Sequence, residues 1–170
     1  PIHQADRAIN AHLDGTYYLD IVVDSGHPDG LYAPGVLQRI ADLQTFLTGL
    51  PHINGTTSIV DDIKQMHRAV NANAPEAYRI PDHENLVAQL LLLRQTSADP
   101  TELQERIDAR RQQALVRAHL DTGQYSIYTS IVPEVEEYIR NTFDDRDLSA
   151  TLTGQAKIDY LWMTKIAENH

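Results

Sequence analysis

The chain contains no cysteine, which removes disulfides, thiolate nucleophiles and cysteine metal ligands, and leaves the redox compartment open. Basic residues are also scarce. Lys and Arg number 14 against 24 Asp and Glu, a formal charge of −10. Such a surface repels a nucleic-acid backbone or an anionic membrane surface, so DNA and RNA are excluded as partners. No run reaches the roughly 18 to 20 consecutive apolar residues that cross a bilayer, and no signal peptide is visible.

Catalytic signatures are missing as well. The sequence has no Walker phosphate loop, no dinucleotide glycine fingerprint, no His-Glu-x-x-His and no Gly-x-Ser-x-Gly elbow. Its eight histidines, His3, His12, His27, His52, His67, His83, His119 and His170, are scattered without a close pair at ligand spacing, which argues against a metal site. Asp61-Asp62 and Asp144-Asp145 look like paired carboxylates, but adjacent acids in turns are usually solvated caps and do not share a helical face. Asn54-Gly55-Thr56 fits a glycosylation sequon and is better read as turn chemistry. The expectation is a chain with no catalytic residues, no metal and no cofactor.

What is present is patterned. Leu19, Ile21 and Val23 alternate with Asp20, Val22 and Asp24, a period of two that predicts a strand over 17–24 with one core face and one more acidic, solvated face. Gly26 to Gly30, with Pro28, predicts a loop. Val36, Ile40, Leu43, Leu47 and Leu50 recur at steps of four and three, the stripe of an amphipathic helix with Pro34 in its first turn and Gly49 and Pro51 at its end. Ile53 to Val60, rich in Thr and Ile, reads as a strand beside the first. This strand, helix and strand form a βαβ unit.

The plan repeats after residue 112. Ala114, Val116, Ala118 and Leu120 alternate in a strand that stops at the turn Asp121-Thr122-Gly123. Tyr128, Val132, Val135, Ile139 and Phe143 make a helical stripe, with Glu134, Glu136, Glu137 and Arg140 on its solvated side. Pro133 either opens that helix or bends it. After the acidic turn 144–147, Ser149 to Thr153 supplies a fourth strand, ended by Gly154. Two such units interleave into an α+β, ferredoxin-like split βαβ sandwich: a four-stranded, mostly antiparallel sheet with both helices on one face.

Residues 62–112 form a helical insertion between the halves. Ile63, Met66, His67 and Val70 predict a short helix, broken at 71–75. Pro81 and Asp82 mark a new helix start with Asp82 as its cap. That helix carries Leu86-Val87-Ala88-Gln89-Leu90-Leu91-Leu92-Leu93, apolar almost all round, and needs burial on more than one side. Two readings stand side by side: a helix sandwiched in the core, or an apolar wall facing a ligand or a partner domain.

Taken in order, these phrases resemble the extracytoplasmic loop of resistance-nodulation-division (RND) exporters, in the branch that handles hydrophobic and lipidic cargo. The resemblance runs from Ala11-His12-Leu13-Asp14-Gly15-Thr16 and the strand Tyr17 to Asp24, through the proline-led helix Pro34 to Gln44 of the form Pro-x-Val-Leu-x-x-Ile-x-x-Leu-Gln. It continues with Leu50-Pro51, Ser58-Ile59-Val60-Asp61 and Tyr78-Arg79-Ile80-Pro81. It implies one porter-type domain over 1–170 on the periplasmic side of a bacterial inner membrane: a stem over 1–14, a first βαβ half over 15–61, the insertion over 62–112, a second half over 113–154 and a C-terminal stem helix over 155–170. Pro1 in place of an initiating methionine then fits a segment lying between two membrane helices, with Tyr160 and Trp162 near the boundary.

The resemblance further implies a proton-driven transporter whose titrating carboxylates lie in membrane helices outside this segment, so that the domain itself admits, holds or passes cargo. The expected partners are an apolar lipid of the sterol or hopanoid class, the second porter subdomain and membrane helices of the same protein, and a periplasmic lipid carrier protein. If a lipid-lining surface exists, Met66, Leu86, Leu90 and Leu93 are the candidates, being apolar, at helical spacing and in the insertion, with Tyr78 as an amphipathic rim. The alternative is a free-standing ferredoxin-like interaction module whose leucine-rich helix is a partner surface, and a cryptic enzyme ranks last.

Overall fold

Strand β1, Tyr17–Asp24, has two unlike faces because its apolar residues fall on alternate positions: Leu19, Ile21 and Val23 are at most 1% exposed. The computed structural model in which it is seen describes residues 17–97 and 99–153, so the expected stems over 1–14 and 155–170 lie outside the described residues. Strand β3, Gln113–Leu120, alternates in the same way and buries Ala114, Val116, Ala118 and Leu120. The two pair antiparallel over their whole length, Tyr17 opposite Leu120 and Asp24 opposite Gln113, which sets their apolar residues on one face of the sheet.

Strand β2, Ile53–Thr57, joins the other edge of β3, and strand β4, Ser149–Leu152, joins the other edge of β1. The order is therefore β2-β3-β1-β4 with every neighbouring pair antiparallel. This is the expected α+β architecture with the strand order of a ferredoxin-like split βαβ fold. One expectation is corrected: β2 does not lie beside β1, because β3 separates them, and the two are parallel across it.

Helix α1, Pro34–Thr48, buries Leu37, Ile40, Leu43 and Leu47, and ends at Gly49. The predicted stripe began one residue early, since Val36 and Leu50 are only partly buried. Helix α5, Tyr125–Thr142, is the counterpart in the second half, and Pro133 lies inside it. Its deepest contacts come from Ile131 and Val135, so the predicted stripe missed Ile131. Both helices join the β1 and β3 residues in one continuous apolar core.

A second correction concerns Ser58-Ile59-Val60-Asp61. The predicted strand runs to Val60, whereas β2 stops at Thr57 and helix α2 occupies Ile59–Val70. Ser58 is its N-cap: the Ser58 hydroxyl accepts from the Val60 N–H at 3.0 Å, and the Asp61 carboxylate accepts from the Ser58 N–H at 3.0 Å. This capping box outweighs the strand propensity of Ile and Val. Gln44 of α1 locks it, donating to Asp61 at 3.1 Å and to Thr56 at 3.2 Å while accepting from the Ser58 hydroxyl at 2.9 Å. Because Ser58 is fully buried, Ser58→Ala removes a cap and strands the Gln44 carbonyl. A loss of about 2 kcal/mol is expected in urea unfolding, and a loss below about 0.5 kcal/mol would contradict the role given to this hub. The Asn54-Gly55-Thr56 segment is not a turn, as expected, but part of β2, at a register irregularity between Ile53 and Gly55.

Candidate functional site

The segment between β2 and β3 holds helix α2, helix α3 (Glu84–Ser97) and helix α4 (Pro100–Arg106). Helix α3 starts two residues after the predicted cap, and Asp82 instead pairs with Arg79 at 3.3 Å. Its core-facing residues are Val87, Leu90, Leu91 and Arg94. The apolar stripe that sequence periodicity suggested, Leu86, Leu90 and Leu93, is thus rotated by about one residue from the stripe that is buried. On the far side Leu92 is 62% and Leu93 40% exposed. The core reading of the leucine run holds for one side of the helix, and the other side is exposed.

Arg94 ends the buried stripe and explains what fastens the insertion. Asp62 on α2, only 8% exposed at its side chain, faces Arg94 Nε at 3.5 Å and Arg106 Nη1 on α4. Glu102 on α4 closes the circuit, 2.8 Å from Arg94 Nη2 and 3.5 Å from Arg106 Nη2. Two carboxylates and two guanidiniums therefore tie three helices together. The planar guanidinium fork suits this use, since it reaches two acids at once. Asp61 is a cap, as expected of such a doublet, but Asp62 is not solvated. Arg94 Nη1 has no hydrogen-bond partner among the described residues.

Among the described residues, the five proposed from the sequence differ widely in burial. Leu90 is in the core at 3% exposure, Met66 and Leu86 are partly buried against it, Leu93 faces outward, and Tyr78 is 40% exposed. Clefts of 190 and 310 Å³ lie around α4 and the start of β3, and one of 250 Å³ lies between α1 and α2, and none of the five lines them. The largest has Leu103, Ile107, Asp108 and Arg111 in its wall and is at the lower end of the size that encloses a ligand.

The sheet face turned away from α1 and α5 carries a polar cluster that sequence reading did not assemble. Arg117 donates to Asp20 from Nε at 2.8 Å and from Nη2 at 2.9 Å, while its guanidinium lies 4.2 Å from the Tyr18 ring centroid. Those hydrogen bonds to Asp20 raise the Arg117 pKa further above its ordinary value against the opposing effect of burial. Asp20, expected on a solvated face, is 2% exposed. Period two placed Asp20 and Arg117 on outward faces, but only the β1–β3 register makes them partners.

Among the described residues no three His, Cys, Asp or Glu side chains come together as a metal site would require. No described helix is long and apolar enough to cross a membrane. The described residues build a four-stranded sheet and an ion-clamped helical insertion that turns Leu92 and Leu93 of its leucine-rich helix outward. No protein-family model, no curated protein and no solved structure matches this chain.

Proposed function

We propose that this chain is an extracytoplasmic domain of an RND-type transporter, and that it contacts a hydrophobic lipid cargo of the sterol or hopanoid class through its helical insertion. The observation that carries the reading is the pair Leu92 and Leu93, adjacent and outward on a helix whose other side is already in the core. Apolar side chains of this size are stabilised by an apolar partner. The sheet is compatible with a domain set between two membrane helices. Strand β4 runs antiparallel to β1 and ends opposite its middle, Leu152 facing Ile21, with the Thr153 N–H donating to the Asp20 carbonyl at 2.7 Å, so that the chain leaves β4 toward the end of the sheet where β1 starts.

The lipid contact is tested with Leu92→Asp/Leu93→Asp, since both positions are exposed. The parent chain is expected to bind a neutral polycyclic lipid at micromolar concentration, and the double variant to lose at least about tenfold in affinity, from burial of two leucines. Equal binding by a folded variant removes the insertion as the contact. Apolar spans of roughly 20 residues are expected in the gene on both flanks. If they are absent, a free-standing interaction module using the same leucines replaces the transporter.

A further inference from the structure

Lys64 and Arg68 stand one turn apart on α2, so their side chains leave the same face of the helix. Lys64 Nζ lies 5.8 Å and Arg68 Cζ 5.2 Å from the centroid of the Tyr78 ring, within the range of cation–π attraction. Several other cations of this acid-rich chain meet carboxylates: Arg39 pairs with Asp145, Arg79 with Asp82, and Arg117 with Asp20. Lys64 and Arg68 form no ion pair among the described residues.

Most acids of the same stretch are engaged, and Asp42 and Asp61 border one cleft with Lys64. Asp61 accepts from Ser58 and Gln44, Asp62 sits in the buried clamp, and Asp82 holds Arg79, which leaves Glu76 as the remaining acid between 61 and 82. A guanidinium above a ring uses its face for the aromatic contact and keeps its N–H edge free for an oxyanion. The Tyr78 ring below it is 40% exposed and offers an apolar surface.

We infer that Lys64, Arg68 and Tyr78 form a site for the anionic headgroup of an amphiphile, a phosphate or carboxylate, with the Tyr78 ring against the first methylenes of its tail. The site goes beyond the lipid-contact reading above: its ligand is an amphiphile with an anionic end, distinct from the neutral polycyclic lipid placed at Leu92 and Leu93. An acidic chain, which repels anions at long range, acquires at this patch a local exception that selects for a charged end.

The test is calorimetric titration of the 170-residue chain with dodecyl phosphate below its micelle concentration, beside dodecyl maltoside, which has the same tail without the charge, and inorganic phosphate. Dodecyl phosphate is expected to bind at least about tenfold more tightly than either control. Lys64→Gln/Arg68→Gln is expected to erase that preference with the circular dichroism spectrum unchanged, and Tyr78→Leu to weaken it severalfold. Equal affinity for the maltoside, or a double variant that still prefers the phosphate, overturns the site. Inorganic phosphate binding as tightly as dodecyl phosphate overturns the amphiphile and leaves a simple anion. Neutral polycyclic lipid, bound through Leu92 and Leu93, is a separate arm: its loss alone would sink the lipid-contact reading while the headgroup site stood.

Discussion

Leu90→Asp is expected to unfold the domain rather than to probe a binding surface. Leu90 is 3% exposed and packs in the core with Val87 and Leu91 of the same helix. The substitution removes a buried isobutyl group, which alone costs about 2 to 5 kcal/mol, and puts a carboxylate into an apolar surround one helical turn from Arg94, which is already shared between Asp62 and Glu102. The new acid either neutralises or brings water with it. A loss of at least about 4 kcal/mol is expected, comparable to the whole stability of many domains. Urea unfolding or loss of a cooperative thermal transition reads it directly. The matched variant is Leu92→Asp, at a site 62% exposed, which should cost less than about 0.5 kcal/mol. Similar stability for the two variants would mean that α3 does not face the core as described.

That contrast also marks how much of the site was legible in the sequence. Both sheet halves could be read because their signals are local: β1 and β3 alternate residue by residue, and α1 repeats at three and four. The leucine run of α3 carried no such signal, because residues 90 to 93 are all leucine and any rotation of the helix buries some of them. What decides its orientation is Arg94, pulled inward by Asp62, 32 positions away in the chain. A long-range ion pair of this kind has no periodicity to betray it. The same holds for Asp20 with Arg117, 97 positions apart. Ser58 was different, since the phrase Ser-Ile-Val-Asp has the form of a capping box, and its β-branched Ile and Val pointed equally well to a strand. Helix α4 was missed because seven residues are too few to show an apolar stripe.

Replacing Asp62 by alanine is expected to lower the unfolding free energy by about 3 kcal/mol. The carboxylate is the common partner of Arg94 and Arg106, and truncating it leaves the Arg94 guanidinium, 8% exposed, with Glu102 alone. Removing one side of a buried pair costs about 3 to 5 kcal/mol because the other charge stays behind in a poor solvent. The lower end applies here, since Glu102 is 53% exposed and water reaches that side of the network. The cause is separable from simple loss of contacts by a double-mutant cycle. Arg94→Met takes away the stranded charge together with the unpartnered Nη1 donor, and a methionine fills most of the volume. Asp62→Ala/Arg94→Met should therefore be no less stable than Asp62→Ala alone, whereas two independent contacts would give additive losses. Salt provides the second discriminant. A network this enclosed is screened weakly, so the Asp62→Ala cost should persist at 1 M NaCl, while Arg39→Ala, which breaks a pair between side chains 35% and 62% exposed, should change stability little at any ionic strength. If the clamp behaves this way, the leucines of α3 face outward because a buried charge network holds the helix in one rotation, and loosening Asp62 should disturb contact through Leu92 and Leu93 before it disturbs the sheet.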